Sequence, residues 1–288
     1  MAGHDVTSGP PTLGVELIAH RAGNLVGSIE AAARLADAVE IDVHLFRGRL
    51  EVRHAKVLWP SAVQWERWEI VAGPGPAPRL AEVLRAVPDG TAVWLDLKGP
   101  SIRLPRRVRT EIVTVRGVTV SSRWWYNLRP FRRSGDVRTM RSVGNRVQLA
   151  VALRLRRRRP NDGIVIHQRL LTPSVALRLR HVMDHLCAWA VDDRRRASEL
   201  VAMGCSGLII DDLGLVAALV AELDGAVVRP GRSRASDPGP PAVGEERSRE
   251  RHDGATDDIE DEVIAGRDDR ERHGDRSDDT ECPDERPA

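Results

Sequence analysis

VEIDVHLFRGRLEVRH, residues 39–54, alternates apolar Val39, Ile41, Val43 and Leu45 with polar Glu40, Asp42 and His44. In a strand that alternation puts Glu40 and Asp42 on one face and the apolar residues on the other. Arg47 and Gly48 supply a turn, so 49–53 returns as a second short strand and the segment is a hairpin ending at His54. A solvated edge strand would also show two carboxylates, but Val39, Ile41 and Val43 demand burial behind them, which directs the pair into an enclosed space. His44 continues the alternation but stands where the hairpin begins, and is expected to face solvent.

Outward from this segment, short apolar runs recur at 15–19, 92–97, 118–121, 137–141, 163–167, 187–191 and 207–210, which with 39–43 makes eight. Helical patterns lie between them at 28–38, 79–86, 173–182, 194–203 and 213–223. Ser28 and Thr172 are placed to cap two of these, with Pro173 at a first helical position. Eight strands with interleaved helices predict an α/β fold, a closed TIM (β/α)8 barrel; a doubly wound open sheet shares the local pattern. Residues 59–78, with Trp59, Trp65, Trp68 and GPGPAP, read as a loop over the top of the barrel.

From residue 231 onward the chain turns to Asp, Glu, Arg, Ser, Gly and Pro without apolar periodicity, the composition of a disordered tail. The expected organisation is an extension at 1–14, a barrel at 15–228 and a disordered, charged C-terminal tail at 229–288. Residues 231–288 hold 10 Arg against 19 Asp and Glu, a formal −9, so the +2 of the whole chain leaves +11 for the rest. A basic body suits an anionic substrate, a membrane surface or nucleic acid, although a GC-rich genome also enriches Arg over Lys. No nucleic-acid motif accompanies the arginines, so no nucleic-acid partner is expected. Cys187, Cys205 and Cys282 fit no metal or disulfide pattern, Met1–Pro11 lacks the features of a signal peptide, and no apolar run reaches transmembrane length. A cytoplasmic protein with no transmembrane segment is expected, peripheral membrane contact remaining open and the tail's partner unspecified.

In such a barrel the chemistry lies at the C-terminal ends of the strands. His20 and Arg21 end the first strand, Glu40 and Asp42 lie in the second, His54 closes the hairpin, and Asp96 and Lys98 repeat the i, i+2 spacing in the third. Three carboxylates are hard oxygen ligands for Mg²⁺ or Ca²⁺, a divalent cation that leaves room for phosphate oxygens. Two flanking histidines can act as general acid and base, with Arg21 and Lys98 holding phosphate charge. His167 is a weaker pocket candidate by strand-end position. His181 and His185 read as capping or surface residues at a helix end. The run Arg156–Arg159 suits an anionic headgroup or, with more weight, a solvated helix terminus. Trp124, Trp125 and Tyr126 begin a helix after the fourth strand, and lining a pocket mouth, packing and interfacial anchoring all remain open for them.

The strings IAHRAGN (18–24), VEIDVHL (39–45), EVRHAK (51–56) and AVWLDLKG (92–99) resemble the glycerophosphodiester phosphodiesterase family: a His-Arg pair, an E-x-D, a second His, then an acidic residue two before a Lys. DGIVIHQRLLTP (162–173), LCAWAVDD (186–193) and GCSGLIIDD (204–212) are similar to that family's last three strands. The resemblance implies divalent-cation-dependent hydrolysis of a glycerophosphodiester to glycerol 3-phosphate and an alcohol. It assigns the metal to Glu40, Asp42 and Asp96, proton transfer to His20 and His54, and a pocket aromatic to Trp189. The chain departs from the pattern after Arg21, where AGNLVGS replaces Gly and a Pro-Glu-Asn-Thr segment, leaving Ser28 at the Thr position. Ala55 stands for an Asp, Asp96 for the usual Glu, and the insertion between His54 and Asp96 is short. Those departures are similar to lysophospholipase D and sphingomyelinase D-like enzymes, which would take a lysolipid. A barrel that binds phosphate without turnover is the other alternative.

Overall fold

The apolar runs form strands because Val, Ile and Leu pack on both faces of a sheet buried between an interior and a layer of helices. In a computed structural model of the chain, the described residues are 14–226 except 55, 59–62, 67–68, 73–76, 133–134 and 156–160, all within one compact unit. The expected N-terminal extension (apart from Gly14), the acidic tail, the Arg156–Arg159 run, Trp59 and Trp68 lie outside them.

The strands are β1 (Glu16–Ala19), β2 (Ala38–Phe46), β3 (Arg49–Val52), β4 (Lys56–Leu58), β5 (Val63–Glu66), β6 (Glu69–Ala72), β7 (Ala92–Leu97), β8 (Val118–Ser122), β9 (Val137–Val143), β10 (Asp162–His167), β11 (His185–Val191) and β12 (Gly207–Ile210). Parallel pairing runs β1-β2-β7-β8-β9-β10-β11-β12 and returns to β1, so the sheet closes as an eight-stranded barrel rather than an open sheet. β3 pairs antiparallel with β2 in the expected hairpin. The helices are α1 (Val26–Leu35), α2 (Leu80–Ala86), α3 (Arg103–Glu111), α4 (Arg146–Ala152), α5 (Pro173–Arg180), α6 (Arg194–Ala202) and α7 (Leu213–Ala226).

Inside the ring, Ile18, Ala38, Trp94, Met140, Val165, Cys187 and Ile209 form one buried cluster drawn from seven strands. Trp94 is its largest member, and its indole N–H donates to Ser121 Oγ at 2.9 Å, which satisfies the one polar atom that such burial would otherwise strand. Alternate residues such as Leu17, Ile41, Leu95 and Ile164 are fully buried beneath the helices. Each such side chain contributes about 1.5–3 kcal/mol. At the N-terminal end, Arg138 of β9 pairs with Glu16 of β1 and forms a charged floor beneath the cluster.

Four local expectations change. Ser28 is not a cap: the helix begins at Val26 after a 3-10 turn at Ala22–Asn24, and Ser28 Oγ donates to the carbonyls of Ala22 and Leu25 instead. Thr172 does cap α5, accepting from Val175 N. Residues 59–78 are not all loop, because β4, β5 and β6 form a small antiparallel sheet whose strands are too short for alternation to be read. After β8 there is a 3-10 turn, Trp125–Leu128, instead of a helix, Pro130 and Gly135 interrupting the return to β9. His185 belongs to β11, and its ring is part-buried at the floor rather than placed at a surface cap.

Gly163 is needed there. A Cβ on it would lie 2.4 Å from Met140 Sδ and 2.8 Å from both Cβ and the carbonyl oxygen of His185. Gly163→Ala is expected to lower stability by about 1–3 kcal/mol through overpacking, read from the urea midpoint.

Candidate active site

Barrel closure fixes which side chains share a level. In the parallel pairing of β2 with β7, Asp42 lies opposite Asp96 and Glu40 opposite Trp94; in that of β7 with β8, Asp96 lies opposite Ser121. Glu40, Asp42 and Asp96 therefore meet at the C-terminal mouth, each with an oxygen within 4.8 Å of the others. Asp42 is wholly buried and Glu40 nearly so. Ser121 Oγ donates to Asp96 Oδ1 at 2.7 Å and fixes that carboxylate.

The loop after β1 supplies two further contacts. Arg21 has φ 54, an unfavourable left-handed conformation for a residue with a side chain, and its backbone N–H donates to Glu40 Oε2 at 2.7 Å. Gly23 presses on β2 so closely that a Cβ would lie 2.2 Å from Ile41 Cγ1. That approach lets Asn24 meet Asp42 twice, donating from Nδ2 to Oδ2 at 2.7 Å and accepting from the Asp42 N–H at 2.9 Å. The loop that departs from the family pattern thus still delivers an amide to the carboxylates.

Lys98 Nζ pairs with Asp42 Oδ1 at 2.9 Å and also with Asp96. Burial alone would depress the ammonium, but the carboxylates of Asp42, Asp96 and Glu40 outweigh it and hold it above the ordinary lysine range. Burial would likewise raise Asp42, yet Lys98, His54 and His20 hold it well below the usual carboxylate value. Glu40 is raised, first by burial and then by the charge of Asp42. One Lys therefore leaves the trio with excess negative charge.

Both predicted histidines reach the mouth. His20 Nδ1 hydrogen-bonds Asp211 Oδ1 at 2.6 Å, while Nε2 faces Glu40 Oε2 at 4.0 Å. His54 Nε2 lies 2.6 Å from the Arg21 guanidinium, which can only donate. Trp189 is part-buried, with the ring of His167 edge-on at 4.4 Å; its indole N–H is buried and donates to no partner among the described residues. A bulge at Ala190, φ 59, follows it, and Gln168 Nε2 donates to the Ala190 carbonyl at 2.8 Å. His167 serves mainly to pack Trp189 and to accept from the Arg169 N–H.

Asp211, Asn24 and Ser121 were not among the expected site residues. Asp211 could have been found by the strand-end rule that found His20, since it directly follows β12. Asn24 and Ser121 carry no such signal, because their roles depend on loop path and register. His44 corrects an expectation: it turns inward rather than to solvent, and burial, with Arg53 and Lys98 nearby, pushes it down to about 3, so it is neutral. Its Nε2 is buried and without a hydrogen-bond partner.

This donor set fits a divalent cation: three hard carboxylate oxygens converge, with the single ammonium of Lys98 set against them. Among solved structures the chain is similar to glycerophosphodiester phosphodiesterases from Thermotoga maritima (15% identity, 73% of this chain and 98% of that one, TM-score 0.56) and Parabacteroides distasonis (17%, 73% and 98%, 0.57). It is also similar to an Oleispira antarctica phosphodiesterase solved with its product sn-glycerol-3-phosphate (16%, 73% and 96%, 0.57). No protein-family model and no curated protein sequence matches the chain. At such identities the likeness establishes the class of fold, a TIM barrel. The likeness runs over nearly the whole length of the three structures compared.

Lys98→Met strips the charge partner from two carboxylates, and a loss of about 3–5 kcal/mol is expected in urea denaturation with chelator present. Mg²⁺ or Ca²⁺ should restore most of it. For His44, the unfolded chain takes up a proton below the ordinary 6.5 while the folded site resists until about 3, so its stabilisation is present above 6.5 and is lost between those values. The stability advantage of the native chain over His44→Gln is expected to shrink across that window in denaturation curves taken at stepped pH.

Proposed function

We propose that the chain is a divalent-cation-dependent phosphoric diester hydrolase that cleaves a glycerophosphodiester to glycerol 3-phosphate and an alcohol. The observation that carries this reading is the convergence of Glu40, Asp42 and Asp96 at one barrel mouth with His20 and His54 beside them. Likeness to barrels of that activity, one of them holding sn-glycerol-3-phosphate, supports the substrate class.

Glu40, Asp42 and Asp96 would hold the cation, Mg²⁺ or Ca²⁺, which would supply Lewis-acid stabilisation of the negative charge on the phosphoryl oxygens. Arg21 and Lys98 bind the phosphate oxygens. His20, held between the carboxylates of Asp211 and Glu40, donates the proton to the leaving alcohol oxygen. His54, whose Nε2 is freed as an acceptor when the Arg21 guanidinium turns to the phosphate, takes a proton from the attacking water as the P–O bond to the alcohol breaks. Asp211 keeps the His20 ring oriented, and Asn24 and Ser121 keep Asp42 and Asp96 from turning away. Trp189, part-buried beside His167, offers an apolar face to the substrate. A place in lipid metabolism and in the cytoplasm belongs to the same proposal. Its support is that Cys187 and Cys205 are free thiols and that no described helix is long and apolar enough to cross a membrane.

Glycerophosphocholine and lysophosphatidylcholine, assayed separately with Mg²⁺ and with Ca²⁺, are expected to give glycerol 3-phosphate from the first and to separate it from a lysolipid specificity. His20→Ala or Glu40→Gln should lower kcat/KM by about 10²–10⁴-fold, and chelation should abolish turnover. Background-level rates from the unmutated chain on both substrates and on bis(p-nitrophenyl) phosphate would overturn the reading.

A further inference from the structure

Five of the eight large apolar residues left exposed among the described residues gather at one end of the barrel, while Val113, Val151 and Leu177 lie elsewhere. Leu25 (71% exposed) and Val26 (47%) follow β1, Ile102 (68%) precedes α3 after β7, Tyr126 follows β8, and Val147 (66%) lies in the first turn of α4 after β9. Each stands in the segment just beyond the C-terminal end of a barrel strand, so all five rim the mouth. Single exposed apolar residues are ordinary on a soluble surface. Five along one arc of one end are a patterned surface.

Charge follows the same arc. Arg103 and Arg146, both exposed, are the immediate neighbours of Ile102 and Val147, and Arg47 and Arg49 are exposed at the tip of the β2–β3 hairpin between them and β1. The opposite side of the rim, beyond β11 and β12, exposes Asp192, Asp193, Asp211 and Asp212, with only Arg194 and Arg195 following the first pair. Apolar side chains flanked by guanidinium groups match an anionic phospholipid surface, where the apolar groups enter the acyl boundary and the cations meet phosphate. A protein or nucleic-acid partner would satisfy the charge but gives no role to isolated aliphatic tips spaced around a concave opening.

We infer that the arc from β1 to β9 docks on an anionic membrane with the barrel mouth turned toward the bilayer. Docking needs no turnover, so it stands or falls separately from the hydrolase reading.

The test is co-sedimentation of the full chain with phosphatidylcholine vesicles made with and without phosphatidylglycerol. Binding is expected to vesicles containing the anionic lipid and to weaken with salt. Ile102→Ser combined with Val147→Ser should lower the partition coefficient by about tenfold or more. Arg103→Glu with Arg146→Glu should remove most of the salt-sensitive part, whereas Leu177→Ser, exposed on α5 away from the rim, should change nothing. Circular dichroism on each variant separates loss of docking from loss of fold. Absence of vesicle binding, an equal effect from Leu177→Ser, or self-association through the same residues in sedimentation velocity without vesicle binding would each overturn the inference.

Discussion

Asp42 and Asp96 face each other across neighbouring parallel strands, which lie about 4.8 Å apart in any sheet. Two carboxylates at that spacing in a partly dry barrel repel by several kcal/mol unless cations or hydrogen-bond donors answer them. Much of the mouth can be understood as that answer. Lys98 pairs with both, Asn24 grips one and Ser121 the other, and Arg21 turns its backbone N–H to the third carboxylate, Glu40. The left-handed backbone at Arg21 and the side-chain-free Gly23 follow from the need to bring this loop against β2. Strain of about 1–3 kcal/mol of this sort persists where surrounding contacts over-determine it.

The barrel was legible because its signal is additive. Eight apolar runs were each weak evidence, but together with interleaved helices they left two topologies, and pairing of β1 with both β2 and β12 selects the closed one. The carboxylate trio was legible too, since i, i+2 spacing in a strand fixes a face without knowledge of any partner. What could not be read was anything set by register or loop path. Ser121 serves Asp96 only because β7 and β8 align as they do, and Asn24 reaches Asp42 only through a 3-10 turn that the sequence AGN does not announce. His44 was misjudged because the alternation of β2 runs on into the hairpin, so the inward face continues farther than a loop-like ending suggested.

The two histidines illustrate how one residue type acquires different tasks. His20 is bracketed by carboxylates and His54 is held against a guanidinium, so the two rings meet partners of opposite sign. A third, His44, is drawn into the same space by strand periodicity and kept neutral by burial. A fourth, His185, lies at the far end of the same barrel, where burial and then the charge of Arg138 depress it as well. The immediate partners of each ring therefore decide its task more than residue identity does.

The charged floor of Glu16 and Arg138, with Trp94, Met140 and Val165 stacked above it, makes the barrel a blind cup rather than a tunnel. Whatever enters at the mouth has to leave by the same doorway. Traffic is then one at a time: any ligand that lingers at the carboxylates bars the next arrival. Any arrangement that turns the doorway toward a surface also places that surface in charge of the exit.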